Sequence, residues 1–197
     1  MALTLFSRSR PAPVKQPTPE PWPEIGETWT PEGVTVSERY YNLAHAVVLV
    51  YKAEGADTAH AVACLGCHFH VTKDKQRTYS TRYTLREAGE VANEHAAACR
   101  ALPRTLPTRP NDDGARELLH QWVRDLRRGE DFYLRIHHFD LGRLFLQRTN
   151  AWITTELQHL ADSQPDLLRI QRTTYGDGKQ YLILPQPKGS ETRKGCS

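Results

Sequence analysis

Three cysteines and one histidine in the first half of the chain have the residue types and the spacing of a zinc site. Cys64 and Cys67 are separated by two residues, and His95 and Cys99 by three, which gives the pattern C-x2-C-x27-H-x3-C. Structural zinc is held tetrahedrally by four thiolate or imidazole donors, which proteins often supply as two close pairs. The pattern therefore predicts a structural Zn2+ bound by Cys64, Cys67, His95 and Cys99, with no open position for a catalytic water.

The local sequence indicates how each pair would be aimed at one metal ion. A tight turn over residues 64–67 would bring two thiolates together, and we expect Gly66 to supply the backbone freedom of that turn. His95 and Cys99 would lie one turn apart on one face of a helix over residues 85–102. The predicted ends of this helix are a capping box at its start and a proline at its end: Thr84, Glu87 and Pro103.

Other uses of the same residues remain open. Cys64 and Cys67 could form a redox dithiol, although a thioredoxin-type motif opens a helix and this one continues into strand-like sequence. They could also be two buried thiols without a metal. Two neighbouring histidines, His68 and His70, are alternatives to His95 as the fourth ligand.

The sequence contains no motif that predicts an enzyme. A zinc deaminase requires H-x-E followed by P-C-x-x-C, but Val62 and Ala63 occupy the positions of the glutamate and the proline in the segment from His60. A phosphate-binding glycine loop and a nucleophile elbow are also missing. The doublet His137-His138 beside Asp140 is more typical of one buried and one solvated side chain at a strand-to-helix junction.

Composition restricts the class of protein. The chain has 197 residues, 39% hydrophobic residues, a net charge of +3 and a pI near 8.7, which permits a nucleic acid as partner. No apolar run reaches about 18 residues, so we predict no membrane span. Cysteines with metal-like spacing indicate a reducing compartment, and we expect a cytoplasmic protein.

Proline-rich stretches divide the chain into five predicted segments. We expect disordered tails at both ends, the first rich in proline and able to recruit a protein partner. A linker with three prolines would separate two folded domains. The predicted segments are a tail at 1–30, a zinc-binding domain at 31–103, a linker at 104–112, a second domain at 113–186 and a tail at 187–197.

The first domain is predicted to be a small ββα-like fold that needs the metal as a staple. A helical stripe runs through residues 35–51, although the β-branched run at 47–50 leaves a strand open. Residues 60–64 should form a strand, and 69–83 a hairpin. Three basic residues of that hairpin would contact nucleic-acid phosphates: Lys73, Lys75 and Arg77.

The second domain has the element order of a winged helix. Amphipathic periodicity predicts helices over 115–126, 139–146 and 151–161, and strand patterns cover 132–136, 167–175 and 179–184. The segment 113–185 resembles the winged helix-turn-helix family in element order and spacing. The predicted fold class is thus α+β, a zinc-stapled domain followed by a winged helix.

That resemblance implies a DNA-binding surface. In the family, the third helix usually enters the major groove while the hairpin, or wing, contacts the backbone or the minor groove. The resemblance assigns base contacts to Asn150, Trp152, Thr155, Gln158 and His159, and backbone contacts to Arg172, Thr174 and Lys179. Winged helices also dock proteins, and an exposed Trp152 would suit such an interface, so a protein-binding adaptor is the alternative.

The zinc half carries a second resemblance. The segment YTLREAGEVANEHAAACRALP after the CLGC turn is similar to small metal-binding modules of bacterial plasmid, prophage and integrative-element proteins. It implies a C2HC-type zinc module in a plasmid or phage process. The expected function is therefore that of a DNA-binding regulator or accessory factor on double-stranded DNA, compatible with a homodimer.

Overall fold

A computed structural model describes residues 28–56, 58–72, 83–172 and 179–186. Within them the chain is a mixed α+β protein with one four-stranded sheet, one three-stranded sheet and four α-helices. This confirms the predicted α+β class. None of the helices in these residues is long and apolar enough to cross a membrane.

The first sheet is antiparallel and its strands follow the chain in order: β1 (Val34–Tyr41), β2 (Val47–Ala53), β3 (Ala61–Cys64) and β4 (His70–Val71). The predicted helix over 35–51 is therefore wrong, and the strand left open at 47–50 is correct. Asn42 breaks the helical stripe, because its side-chain oxygen accepts hydrogen bonds from the amides of Ala44 and Ala46 and closes a turn.

Helix α1 (Leu85–Ala98) covers one face of this sheet. The predicted capping box is confirmed: Thr84 accepts from the amide of Glu87, whose carboxylate accepts from the amide of Thr84. The predicted end near residue 102 is wrong, because Cys99 already has an extended backbone with ψ 137°. Alanines and valines fill the space between helix and sheet: Val48, Val50, Val62, Ala88, Ala92 and Ala96.

The second half places three helices against the second sheet. Its elements are α2 (Asp112–Asp125), β5 (Phe132–Leu134), a 3-10 turn (Ile136–Phe139), α3 (Arg143–Leu146), α4 (Asn150–Ser163), β6 (Leu168–Arg172) and β7 (Lys179–Ile183). The strand order is β5-β7-β6. The predicted α4 is confirmed, with Thr149 as its cap and Ile153, Leu157, Leu160 and Ala161 on its buried face.

The predicted helix over 139–146 is not continuous. A 3-10 turn precedes it and Gly142 separates the turn from α3. The indole of Trp122 lies directly against Gly142, where a Cβ would come within 2.2 Å of its ring. The backbone is therefore bent around the tryptophan, a long-range contact that helical periodicity does not reveal.

The two halves of the chain pack against each other. The sheet face opposite α1 is covered by Leu141 and Leu144 from the second half, which contact a cluster that includes Leu49 and Tyr51. The Tyr51 hydroxyl donates to the carbonyl of Leu141 at 3.2 Å. At Gly33, whose φ is +73°, a Cβ would lie 2.0 Å from the Arg148 carbonyl oxygen. The described residues of both halves thus share one apolar interface.

Candidate metal centre

The four predicted ligands lie together at one end of the first sheet. Cys64 ends β3, Cys67 follows it in a tight loop, and His95 and Cys99 are at the end of α1. One donor atom of each residue lies within 4.8 Å of the other three, and Cys67 Sγ is 3.4 Å from His95 Nε2. In a tetrahedral site with metal–sulfur bonds of about 2.3 Å and metal–nitrogen bonds of about 2.0 Å, the donors are roughly 3.5–3.8 Å apart. The cluster therefore fits a tetrahedral metal ion.

Backbone amides are directed at all three sulfur atoms. Gly66 N–H donates to Cys64 Sγ at 3.3 Å, Phe69 N–H to Cys67 Sγ at 3.3 Å, and Ala101 N–H to Cys99 Sγ at 3.5 Å. Such bonds favour the thiolate, which is the form that binds metals. The loops around the site are thus built to hold anionic sulfur.

The burial of the thiols differs across the site. Burial raises the pKa of Cys64 to about 12, against the opposing effect of the Gly66 amide. Burial also opposes ionisation of Cys99, but hydrogen bonds from Ala101, Asn42, Cys67 and Cys64 together outweigh it, and the pKa of that thiol is lowered. Ionisation of the buried Cys64 thiol requires a nearby cation, and a metal ion at the centre of the cluster would provide one.

Gly66 is needed for space rather than for backbone freedom. Its φ is not positive, in contrast to the expectation from the sequence. A Cβ at this position would lie 2.5 Å from Ala46 Cβ and 2.9 Å from the Leu102 carbonyl oxygen. The loop of the first two ligands is therefore pressed against the segment that follows Cys99.

Asn42 ties that segment to the sheet, a role that the ligand spacing does not indicate. Its Nδ2 donates to the Ala101 carbonyl at 2.8 Å, while its Oδ1 holds the turn between β1 and β2. Asn42 is buried. A single buried side chain thus fixes the position of the segment after Cys99. An asparagine in a Y-N-L-A-H sequence signals a turn, but not this distant contact.

The imidazole of His95 has a defined orientation. The Phe69 ring stacks on it with 3.9 Å between ring centroids and 15° between planes. Burial lowers the pKa of His95, which favours the neutral ligand form. The two alternative histidines contact other groups: His68 Nε2 is 3.0 Å from Arg104, and His70 Nε2 is 2.5 Å from the Tyr51 hydroxyl.

The residues predicted to contact DNA differ in their exposure and in the contacts that they make. Thr155 and His159 are exposed on α4, and Gln158, half-buried, accepts a hydrogen bond from Lys179 at 3.2 Å. Arg172 is exposed and pairs with Lys179 across the strands. Four other predicted contacts lie outside the described residues: Lys73, Lys75, Arg77 and Thr174.

Asn150 and Trp152 make contacts within the protein. The backbone amide of Asn150 donates to Glu54 Oε2 at 2.6 Å and its side-chain amide donates to the Glu54 carbonyl at 2.8 Å. Asn150 Oδ1 also accepts from the buried Arg143. Trp152 is half-buried beside the core, with the Arg148 guanidinium 5.3 Å from its ring centroid. The first turn of α4 is therefore joined to the first half of the chain.

No family profile, curated protein or solved structure matches this chain.

Proposed function

We propose that the protein binds double-stranded DNA through the exposed side of α4 and the β6–β7 hairpin, and that a structural zinc ion stabilises its first half. The observation that carries the DNA proposal is the position of two cations beside the helix. Lys179 reaches Gln158 on α4, and its cross-strand neighbour Arg172 is exposed next to it. These charges are suited to phosphates that flank a groove occupied by α4.

The order of elements supports a winged-helix arrangement. Helix, strand, short helix, long helix and two strands follow one another, and the first strand pairs with the last to give the order β5-β7-β6. In such an arrangement α4 is the recognition helix and β6–β7 the wing. Thr155, Gln158 and His159 are then the base-contacting candidates, whereas Asn150 positions the helix by its bonds to Glu54.

The donor set supports zinc as the metal. Three thiolates and one imidazole are soft to borderline ligands, which are typical of structural zinc and disfavour magnesium or calcium. Four protein ligands complete a tetrahedron, so we expect no catalysis at the ion. We also propose a plasmid or phage process, on the sequence resemblance, and a cytoplasmic location, on the metal-like spacing of the cysteines.

Salt dependence tests the DNA proposal. Binding to random-sequence duplex, followed by fluorescence anisotropy, should weaken steeply with salt, and the log-log slope should be about −0.9 for each phosphate contact. Arg172→Ala and Lys179→Ala should each reduce that slope by about 0.9, with similar losses for different sequences. Arg128→Ala is the matched control, because Arg128 stacks on Phe132 at the opposite end of the sheet.

A protein-binding adaptor is the second candidate, and one surface favours it. Leu43 and Leu102 are 75% and 61% exposed, and the bond from Asn42 to Ala101 holds their segments together beside the metal centre. Exposed leucines in adjacent segments are typical of protein contact surfaces. If random duplex is not bound at about 50 mM salt, the DNA proposal fails and this candidate replaces it.

A further inference from the structure

A pocket of about 380 Å3 lies where the two halves meet, away from the four metal ligands. His70 of β4 forms one side, and the end of α2, the 3-10 turn and α3 form the others. Pockets of this volume accommodate a small ring compound. Neither the metal centre nor the proposed DNA surface uses this pocket.

Aromatic rings dominate the walls. Trp122 stacks near Phe139 with 6.1 Å between centroids, and Phe145 meets the edge of His70 with 6.0 Å between centroids. Phe145 is 49% exposed, which is unusual for a large apolar side chain. Trp122 is fixed in place because its indole lies on the backbone of Gly142. The walls therefore present largely preformed faces to a flat apolar ligand.

One carboxylate and two imidazoles are among the side chains that line the pocket. Asp125 is its only acidic lining residue among those described, and neither lysine nor arginine lines it. Burial lowers the pKa of His70, so this imidazole carries no charge at neutral pH.

We propose that this pocket binds a small aromatic cation, with the ring between Trp122 and Phe145 and the cationic group paired with Asp125. A carboxylate binds an amidinium or guanidinium group through charge-assisted hydrogen bonds, and aromatic walls add a cation–π attraction. His70 comes from the first half and the other walls from the second, so both halves of the protein form the pocket.

Benzamidine is the probe, and benzoate is its charge-reversed control of nearly the same shape. Ligand-observed NMR titration of the full chain should give saturable benzamidine binding with a Kd on the order of 1 mM, and at least tenfold weaker binding of benzoate. Asp125→Asn should weaken benzamidine binding about tenfold and remove the preference over benzoate.

Asp162→Asn is the matched control variant. Asp162 accepts a hydrogen bond from Gln158 on α4, as Asp125 accepts one from Gln121 on α2, so both variants lose the same kind of helix-surface pair. Asp162→Asn should bind benzamidine as the wild type does, and circular dichroism should show that both variants are folded. The proposal is overturned by equal binding of benzoate and benzamidine, by unchanged binding in Asp125→Asn, or by no saturation up to about 10 mM.

Discussion

Replacing Gly66 by alanine should disturb the metal centre through a steric contact. The added Cβ would lie 2.5 Å from Ala46 Cβ, 2.9 Å from the Leu102 carbonyl oxygen and 3.2 Å from the Ala101 carbonyl oxygen. Two of these three neighbours are backbone atoms, so rotation of a side chain cannot relieve the contact. The segment after Cys99 must move away from the loop that carries Cys64 and Cys67.

The expected magnitude follows from the cost of overpacking. Extra methyl groups in well-packed sites lower the free energy of unfolding by about 1–3 kcal/mol, and rigid neighbours place Gly66→Ala near the upper end. Because the displaced segment follows a ligand, part of this cost should appear as weaker metal binding. A loss of about 1.4 kcal/mol in binding free energy corresponds to a tenfold lower zinc affinity.

Urea unfolding of the zinc-loaded protein and competition with a chromophoric chelator measure the two effects. Gly129→Ala is the matched control, because no atom of the described residues, apart from the two chain neighbours, lies within 4 Å of a Cβ at position 129. It should leave both stability and zinc affinity nearly unchanged. If Gly66→Ala matches Gly129→Ala in both measurements, the close packing of the ligand loop against residues 101–102 is refuted.

Four further predictions concern other sites. Cys64→Ser should lower the zinc content found by elemental analysis from one equivalent per chain, whereas Cys196→Ser, outside the described residues, should not; equal zinc in both variants would contradict the site. Leu144→Ala should reduce the free energy of unfolding by about 2–5 kcal/mol, because this side chain is 2% exposed between the two halves; a loss below about 1 kcal/mol in urea would contradict that burial. Glu54→Gln should lower the free energy of unfolding by about 0.5–2 kcal/mol, because it removes the charged carboxylate that accepts from the first turn of α4. Glu90, which forms an exposed pair with Arg86 on α1, is the control, and an equal loss in Glu90→Gln would contradict a special role of Glu54. Burial lowers the pKa of His120, whose Nε2 has no hydrogen-bond partner among the described residues. The unfolded chain therefore binds a proton more readily, and the free energy of unfolding should fall as the pH drops below about 6.5. His120→Gln should lose less stability than the wild type between pH 8 and pH 5, and equal losses in the two proteins would refute this.

The cluster of four candidate metal ligands was predictable because each of its pairs is local. Two cysteines in one loop and two ligands one helical turn apart depend only on short spacing, and the cap at Thr84 is a three-residue signal. Helix α4 was predictable for the same reason: its apolar residues recur at helical spacing over more than three turns. Spacing alone did not choose between His95 and the two alternatives, His68 and His70. That choice depends on contacts such as the one between His70 and Tyr51.

The hairpin of β1 and β2 was not predictable from periodicity. A bulge between Val36 and Glu38 interrupts the alternation of β1, and β2 is buried on both faces, so neither strand shows a period of two. The prediction of a helix there followed the helical stripe through residues 35–51. The packing of the two halves depends on residues almost one hundred positions apart, and no local sequence pattern predicts it.

Leu144 of α3, which packs against the first sheet, restricts how the sequence of this protein can evolve. A lineage that lost α3 would leave Leu49 and Tyr51 open to water, and a larger side chain at position 144 would need a smaller one across from it. Related proteins should therefore retain both halves in one chain, and substitutions at position 144 should be accompanied by substitutions at positions 49 and 141. The surface that we propose for DNA binding should tolerate substitution more freely than this interface between the halves.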